Sequence, residues 1–204
     1  MNQAVVVDFA LAEPRLSAAL RRMRLVSRAL EILFLVLTVG FGLVASVAIL
    51  DFVVPYAPHL VALGPAGGLL TIGPQPHALP PHYVTVGAMP PVQRLAHVPV
   101  GLLHAAPTVL LFWSLRRLFG LYAKGVVFAP DNARSLKHVG GALIVIAIAP
   151  WLGHTVLNSL HMAIDQAWMH GSSIQELILG AIVYVIAQVM QLGRELEEER
   201  SQFV

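Results

Sequence analysis

The side chains in this sequence that are best suited to chemistry are its 9 histidines. His97 and His104 fall in one apolar segment, and His154 and His161 fall in and just after the next. A spacing of seven residues is about two turns of an α-helix, so the members of each pair share a face and lie about 10 Å apart along the axis. If the two helices are antiparallel neighbours, the pairs meet in one layer.

These four histidines are candidates for a bis-imidazole metal or heme site, because imidazole nitrogens bind transition metals and heme iron. No HExxH motif and no Cys/His spacing accompanies them, and paired b-type hemes need a wider spacing on each helix. Two other interpretations stay open: histidines that hydrogen-bond between helices or face water, and a proton-linked role. We expect no cofactor, with a heme or transition-metal site as the alternative.

Acidic residues lie at the ends of the apolar segments rather than in their middles. Asp51 and Asp165 fall at one boundary of the segments, Glu176 at the start of the last one and Glu31 at the start of the first. Ionisable groups deep in a bilayer typically mark ion pathways. Their absence at mid-depth weakens a third hypothesis, a small transporter, and favours positions at the membrane interface.

Recognisable catalytic motifs are missing from the sequence. It contains no serine elbow, no phosphate-binding loop and no pair of catalytic carboxylates. With no cysteine, it also lacks thiolate ligands, cysteine nucleophiles and disulfides. We therefore expect a protein that is not an enzyme.

The elements that must position these residues are membrane-spanning helices. Hydrophobic residues make up 57% of the 204 residues and charged residues only 12%. Four apolar segments approach the roughly 20 residues needed to cross a bilayer; they are residues 32–54, 97–117, 138–160 and 174–193. Because they do not alternate strictly, we predict an all-α polytopic membrane protein with four transmembrane helices in one membrane domain. Glycines that would let helix backbones approach closely are Gly40, Gly42, Gly140, Gly141 and Gly180.

The positive charges predict the orientation of the chain. With four spans, every Lys and Arg except Arg94 falls on the side of the two termini, and cations concentrate on the cytoplasmic side of membranes. We expect both termini in the cytoplasm. The pI of about 9.3 then reflects contact with lipid headgroups of the bilayer rather than direct binding of nucleic acid.

Segments outside the spans differ in composition. Residues 1–31 form a cytoplasmic segment with a basic amphipathic pattern, and two external loops cover residues 55–96 and 161–173. The longer loop holds most of the 14 prolines, which excludes one regular helix. Within it, Val84–Val86 and Leu69–Ile72 are expected to form short strands of a partly ordered cap, with a disordered linker as the alternative.

On the cytoplasmic side, a basic connector (residues 118–137) faces an acidic tail (residues 194–204). Gly125 permits a turn in the connector, and Asp131 or Asn132 would cap the third helix. The fourth helix would continue into the tail. Ion pairs between connector and tail would hold the helix ends together; a solvated helix end is the alternative.

Two stretches of the chain resemble a known family. The first runs from Phe119 to Ile144, FGLYAKGVVFAPDNARSLKHVGGALI, and the second from Leu177 to Glu199, LILGAIVYVIAQVMQLGRELEEE. They resemble the signature regions of the bacterial domain-of-unknown-function 2975 (DUF2975) membrane proteins, while the external loop and the histidines lie outside the resemblance. The matching residues are Tyr122, Gly125, Phe128, Asn132, Arg134, Gly193, Glu195, Leu196 and Glu198, and Lys137 extends the basic stretch.

The resemblance implies a four-helix protein of the bacterial inner membrane without established activity, often encoded beside a small helix-turn-helix regulator. By association, it implies a cytoplasmic regulatory protein or a membrane complex as partner. We therefore expect a non-enzymatic accessory or regulatory protein whose cytoplasmic face, the connector and the acidic tail, binds a partner. A role of the motif in folding and topology alone is the alternative.

Overall fold

Four long helices form most of the structure. The computed structural model describes residues 9–54, 61–64, 67–70, 83–126, 129–160 and 171–201, with side chains for 21–54, 61–63, 83–126, 129–160 and 171–193. The helices are α1 (Phe9–Val53), α2 (Pro91–Ala123), α3 (Pro130–Ser159) and α4 (Gly171–Ser201). Each contains a segment long and apolar enough to cross a membrane. This confirms the prediction of an all-α protein with four transmembrane helices.

The first helix is longer than the span that the sequence predicts. α1 runs for 45 residues without a break at residue 31, where we separated an amphipathic segment from the first span. Residues 15–31 contain neither Gly nor Pro and are rich in Leu, Ala and Arg, which favour helix. The amphipathic segment and the span therefore form one continuous helix.

The helices pack in the order of the sequence. Within the described residues, extensive contacts join α1 to α2, α2 to α3 and α3 to α4. α3 contacts two neighbours and buries small residues such as Ala142 and Ala149, whereas α1 and α4 expose large apolar side chains such as Val36 and Val189. Lipid tails are as apolar as these side chains, so a bilayer covers them at no cost.

Aromatic rings join α1 to α2. Phe34 lies between Phe112 and Phe119, with ring centroids 6.3 and 5.6 Å away. Phe41 meets Phe112 edge-on at 5.9 Å, and Tyr122 meets Phe119 edge-on at 6.1 Å. Stacked and edge-to-face pairs are the favoured arrangements of aromatic rings, so this row fixes how the two helices align.

A three-stranded antiparallel sheet covers one end of α1 and α2. The central strand β1 (Val61–Gly64) pairs with β2 (Gly67–Leu70) and with β3 (Val84–Thr85). Val61 of the sheet, Phe52 of α1 and Val86 form a small buried cluster. We call this end of the helices the cap end, and the end where α2 turns into α3 the connector end.

The strands agree in part with those predicted. Leu69 and Leu70 lie in β2, and Val84 and Thr85 form β3, but Val86 begins a short 3₁₀ turn instead of continuing the strand. Thr71 and Ile72 lie outside the described residues. β1 was not predicted. Its four residues, VALG, form a strand because they pair with β2 on one side and with β3 on the other.

Candidate functional site

His97 is buried between α1 and α2 at the cap end. The residue is only 6% exposed. Its ring stacks on the ring of Phe52, with centroids 5.3 Å apart and planes 5° apart. Its Nδ1 lies 2.8 Å from the carbonyl oxygen of Gln93. Because a carbonyl only accepts, Nδ1 donates this hydrogen bond. Within the described residues, Nε2 has no hydrogen-bond partner.

The other candidate histidines are distributed differently. Nδ1 of His104 lies 2.9 Å from the carbonyl oxygen of Val100, and its Cε1 lies 3.4 Å from the point where a Cβ on Gly153 of α3 would sit. His104 therefore faces α3, next to the part of the helix that carries His154. His161 lies outside the described residues.

The part of the chain that the structure describes contains three of the four candidate histidines, because His161 lies outside it. No three His, Asp or Glu side chains there lie close enough together to bind a metal ion. His97 packs on α1 and His104 packs on α3, so the two members of one pair contact different helices. The hypothesis of a heme or metal site stays a prediction.

Asp51 is buried at the cap end, near the end of α1. The residue is 3% exposed, and both carboxylate oxygens lack a hydrogen-bond partner among the described residues. The Nε atom of Arg94 is also buried without a partner there. Burial without hydrogen bonds is unfavourable for a polar group. Within the described residues, the cap end thus holds several buried polar atoms without a hydrogen-bond partner.

At the connector end, α2 stops in a turn built around Gly125. The N–H of Val126 donates to the carbonyl of Leu121 at 3.0 Å, and the N–H of Gly125 donates to the carbonyl of Tyr122 at 2.9 Å. This pair of bonds is a Schellman motif, which needs a left-handed residue just after the helix. Gly125 supplies it with φ of +79°. The family-motif glycine therefore ends the helix, as the sequence predicts.

Asn132 holds the start of α3 against this turn. It is fully buried, and its Nδ2 donates to the carbonyl oxygen of Val126 at 2.9 Å. The prediction that Asp131 or Asn132 caps α3 is wrong: the capping position is Ala129, which has no side chain able to cap, and Pro130 is the first helical residue. Proline is favoured there because the missing N–H would have no partner.

Asp131, in the first turn of α3, carries a negative charge between two arginines. Its Oδ1 lies 3.4 Å from Nη1 of Arg134 and 3.8 Å from Nη2 of Arg117 of α2. All three side chains are about half exposed or more, so each pair contributes only about 0–1 kcal/mol. A carboxylate is also favourable beside the positive end of the helix dipole.

Lys137 links α3 to α4. Its Nζ donates to Oε1 of Gln191 at 2.5 Å, between residues 54 positions apart. The predicted partners of the basic connector were the charged residues of the acidic tail, whereas Gln191 is uncharged and comes before that tail. The bond brings the basic start of α3 next to α4 at Gln191, which comes two residues before Gly193. The acidic tail follows directly after Gly193.

The remaining family-motif residues lie on or near α4. The helix continues through Glu195, Leu196 and Glu198 to Ser201, so the acidic tail is helical, but the side chains of these residues are not described. No described atom lies within 4 Å of the point where a Cβ on Gly193 would sit. Phe128 lies outside the described residues. The expected ion pairs between connector and tail stay a prediction.

Comparison with protein families gives a match to the family described as "Protein of unknown function (DUF2975)", over residues 82–202. The match begins before α2 and so includes the last part of the loop and the histidines, which the resemblance left out. Comparison with curated proteins gives no match. Comparison with solved structures gives none either. The family model covers more than half of the chain, and the connector turn, the start of α3 and α4 all lie inside it; this chain belongs to the DUF2975 family of membrane proteins.

Proposed function

We propose that the protein is a non-enzymatic accessory or regulatory component of the bacterial inner membrane whose connector end lies in the cytoplasm and binds a partner. The orientation rests on the positive charges, all but one of which belong to the side of the termini. The partner is a regulatory protein or a membrane complex with an acidic surface.

The observation that carries the proposal is the exposure of Arg134 on a firmly held helix start. Its side chain is 64% exposed, and its only ion pair among the described residues is the 3.4 Å contact with Asp131. The hydrogen bonds of Asn132 to Val126 and of Lys137 to Gln191 fix the first turns of α3 on both sides. A charge presented by rigid backbone binds with less loss of entropy than one on a mobile loop.

Gly193 supports the same surface. A glycine inside a helix lowers stability by about 0.5–1 kcal/mol relative to alanine. Gly140 and Gly180 have a reason for this cost, since other helices contact them, whereas no described atom lies within 4 Å of a Cβ at Gly193. An open helical glycine lets the backbone of another molecule approach closely.

Binding explains the polar groups of this end better than catalysis. Asn132, Lys137 and Asp131 are used in structural hydrogen bonds and ion pairs, which fix the shape of a surface. Charges around a binding surface mainly select the partner and speed its approach.

The test reverses the charge of Arg134. We expect Arg134→Glu to abolish co-purification of a cytoplasmic partner after cross-linking in native membranes. Arg22→Glu is the matched control, since Arg22 is also an exposed arginine and lies on α1. Both variants must insert in the membrane at the level of the unmodified protein. If Arg134→Glu and the unmodified protein recover the same partners, the proposal is wrong.

A further inference from the structure

A cavity of about 360 Å³ opens at the connector end between α1, α2 and the start of α3. Its wall includes Glu31 of α1, the cations Arg116, Arg117 and Lys124 of α2, and Asp131 of α3. Cavities of this size are in the lower range of those that hold small ligands. The wall is therefore large enough for a compact polar group and carries both signs of charge.

The cations of the wall are not all neutralised by the protein. Arg117 lies 3.8 Å from Asp131, but no ion pair within 4.0 Å joins Arg116 or Lys124 to a described side chain. Arg116 is held in place by Trp113, with its guanidinium carbon 4.8 Å from the ring centroid. Residues four and eight positions apart fall near one side of a helix, so Arg116 and Lys124 point into the same space.

Glu31 of α1 brings a negative charge to the cavity. Its Oε1 lies 3.1 Å from the point where a Cβ on Gly120 would sit, so the carboxylate passes directly over this glycine of α2. Any larger side chain at Gly120 would push the carboxylate away. No cation forms an ion pair with Glu31 among the described residues. The cavity thus has unpaired cations and an unpaired carboxylate among its described lining residues.

Apolar surface lies next to the cavity on α2. Trp113 of the cavity wall is half exposed, and so is Leu110, about one turn away on the same helix. Tryptophan and basic side chains concentrate where spans reach the lipid headgroups. A ligand with a charged head and apolar chains could place the head in the cavity and the chains along α2.

We propose that this cavity binds the headgroup of phosphatidylethanolamine in the leaflet at the connector end. Arg116 and Lys124 bind the phosphate, and Glu31 accepts hydrogen bonds from the ammonium group. Phosphatidylglycerol offers the phosphate but no cation, and the quaternary ammonium of phosphatidylcholine has no N–H to donate. The proposal concerns lipid binding and is independent of the protein partner.

The test measures lipid binding to the delipidated full chain in detergent by native mass spectrometry. We expect phosphatidylethanolamine to bind about tenfold tighter than phosphatidylglycerol or phosphatidylcholine, the usual effect of one charge-assisted hydrogen bond. Glu31→Gln, nearly equal in shape, should remove this preference and leave phosphatidylglycerol binding unchanged. The double variant Arg116→Gln with Lys124→Gln should weaken the binding of all three lipids by about tenfold or more.

Arg22→Gln is the matched control, because it removes an exposed cation of α1 that does not line the cavity. It should bind the three lipids as the unmodified protein does. Equal affinities of the three lipids for the unmodified protein would overturn the proposal, and this result needs no variant to fold. Displacement of the lipid by soluble phosphoethanolamine or inorganic phosphate at equal concentration would also overturn it, since the ligand would then be a free phosphate compound.

Discussion

Gly140 of α3 and Gly180 of α4 face each other in close backbone contact. A Cβ on Gly140 would lie 2.8 Å from the carbonyl oxygen of Gly180, and a Cβ on Gly180 would lie 2.9 Å from the carbonyl oxygen of Gly140. The predicted close approach is confirmed at these two glycines. At Gly40, Gly42 and Gly141 no described atom lies within 4 Å of such a Cβ.

We expect Gly140→Ala to lower the free energy of unfolding by about 1–3 kcal/mol, because the new methyl group forces the two backbones apart. The neighbouring Gly141→Ala is the matched control, and should raise it by about 0.5–1 kcal/mol through the better helix propensity of alanine. Denaturant unfolding in detergent measures both. Equal effects of the two substitutions would show that the contact does not hold α3 and α4 together.

Gly125→Ala should destabilise the connector turn by about 1–2 kcal/mol, the cost of a left-handed backbone for an L-residue. The Cβ would also lie 2.9 Å from Nη2 of Arg24, so this side chain must move. Gly193→Ala, inside α4 with open space around it, is the comparison and should not destabilise. Thermal unfolding of the two variants measures this difference. A Gly125→Ala variant as stable as the unmodified protein would contradict the Schellman turn.

Gly193→Phe should reduce recovery of the cytoplasmic partner without lowering the unfolding temperature, because the ring blocks close approach from outside. Gly141→Phe is the control, since Gly141 is also an open helical glycine but lies on α3 rather than on α4. Cross-linking in native membranes followed by purification measures the recovery. Full recovery of the partner with Gly193→Phe would show that this glycine is not part of the binding surface.

His97→Phe should leave stability unchanged or raise it. Phenylalanine keeps the stacking on Phe52 and removes the buried Nε2 that has no described partner, whereas His97→Ala loses the stacking and should cost about 3 kcal/mol or more, as for other buried rings. Thermal unfolding compares the two.

An absorption spectrum and metal analysis of the unmodified protein should show no Soret band and no stoichiometric metal; either signal would favour the heme or metal hypothesis.

Asp51→Asn should raise the free energy of unfolding by about 1–3 kcal/mol, since it removes a buried charge that has no described hydrogen-bond donor. Asp131→Asn is the control, because it removes a half-exposed carboxylate beside two arginines and should be neutral or slightly destabilising. Unfolding in detergent at neutral pH measures both. A marked loss of stability in Asp51→Asn would show that the carboxylate has a partner.

The sequence determined the membrane helices and the connector turn of this protein. Hydrocarbon demands that each span satisfies its own backbone hydrogen bonds, so a long apolar segment is sufficient to predict a helix. The turn is local too, because Gly125 alone supplies the left-handed residue. The DUF2975 motif could be read for the same reason, as its residues follow each other along the chain.

Only the tertiary structure decided which side chains meet. The partner of Lys137 is Gln191, 54 positions away, Glu31 lies over Gly120, and His97 stacks on Phe52 rather than joining His104. Each contact depends on how far one helix is rotated and shifted against the next. Aromatic rings between α1 and α2 and the glycine contact between α3 and α4 set that alignment. The hydropathy of a single segment does not predict it.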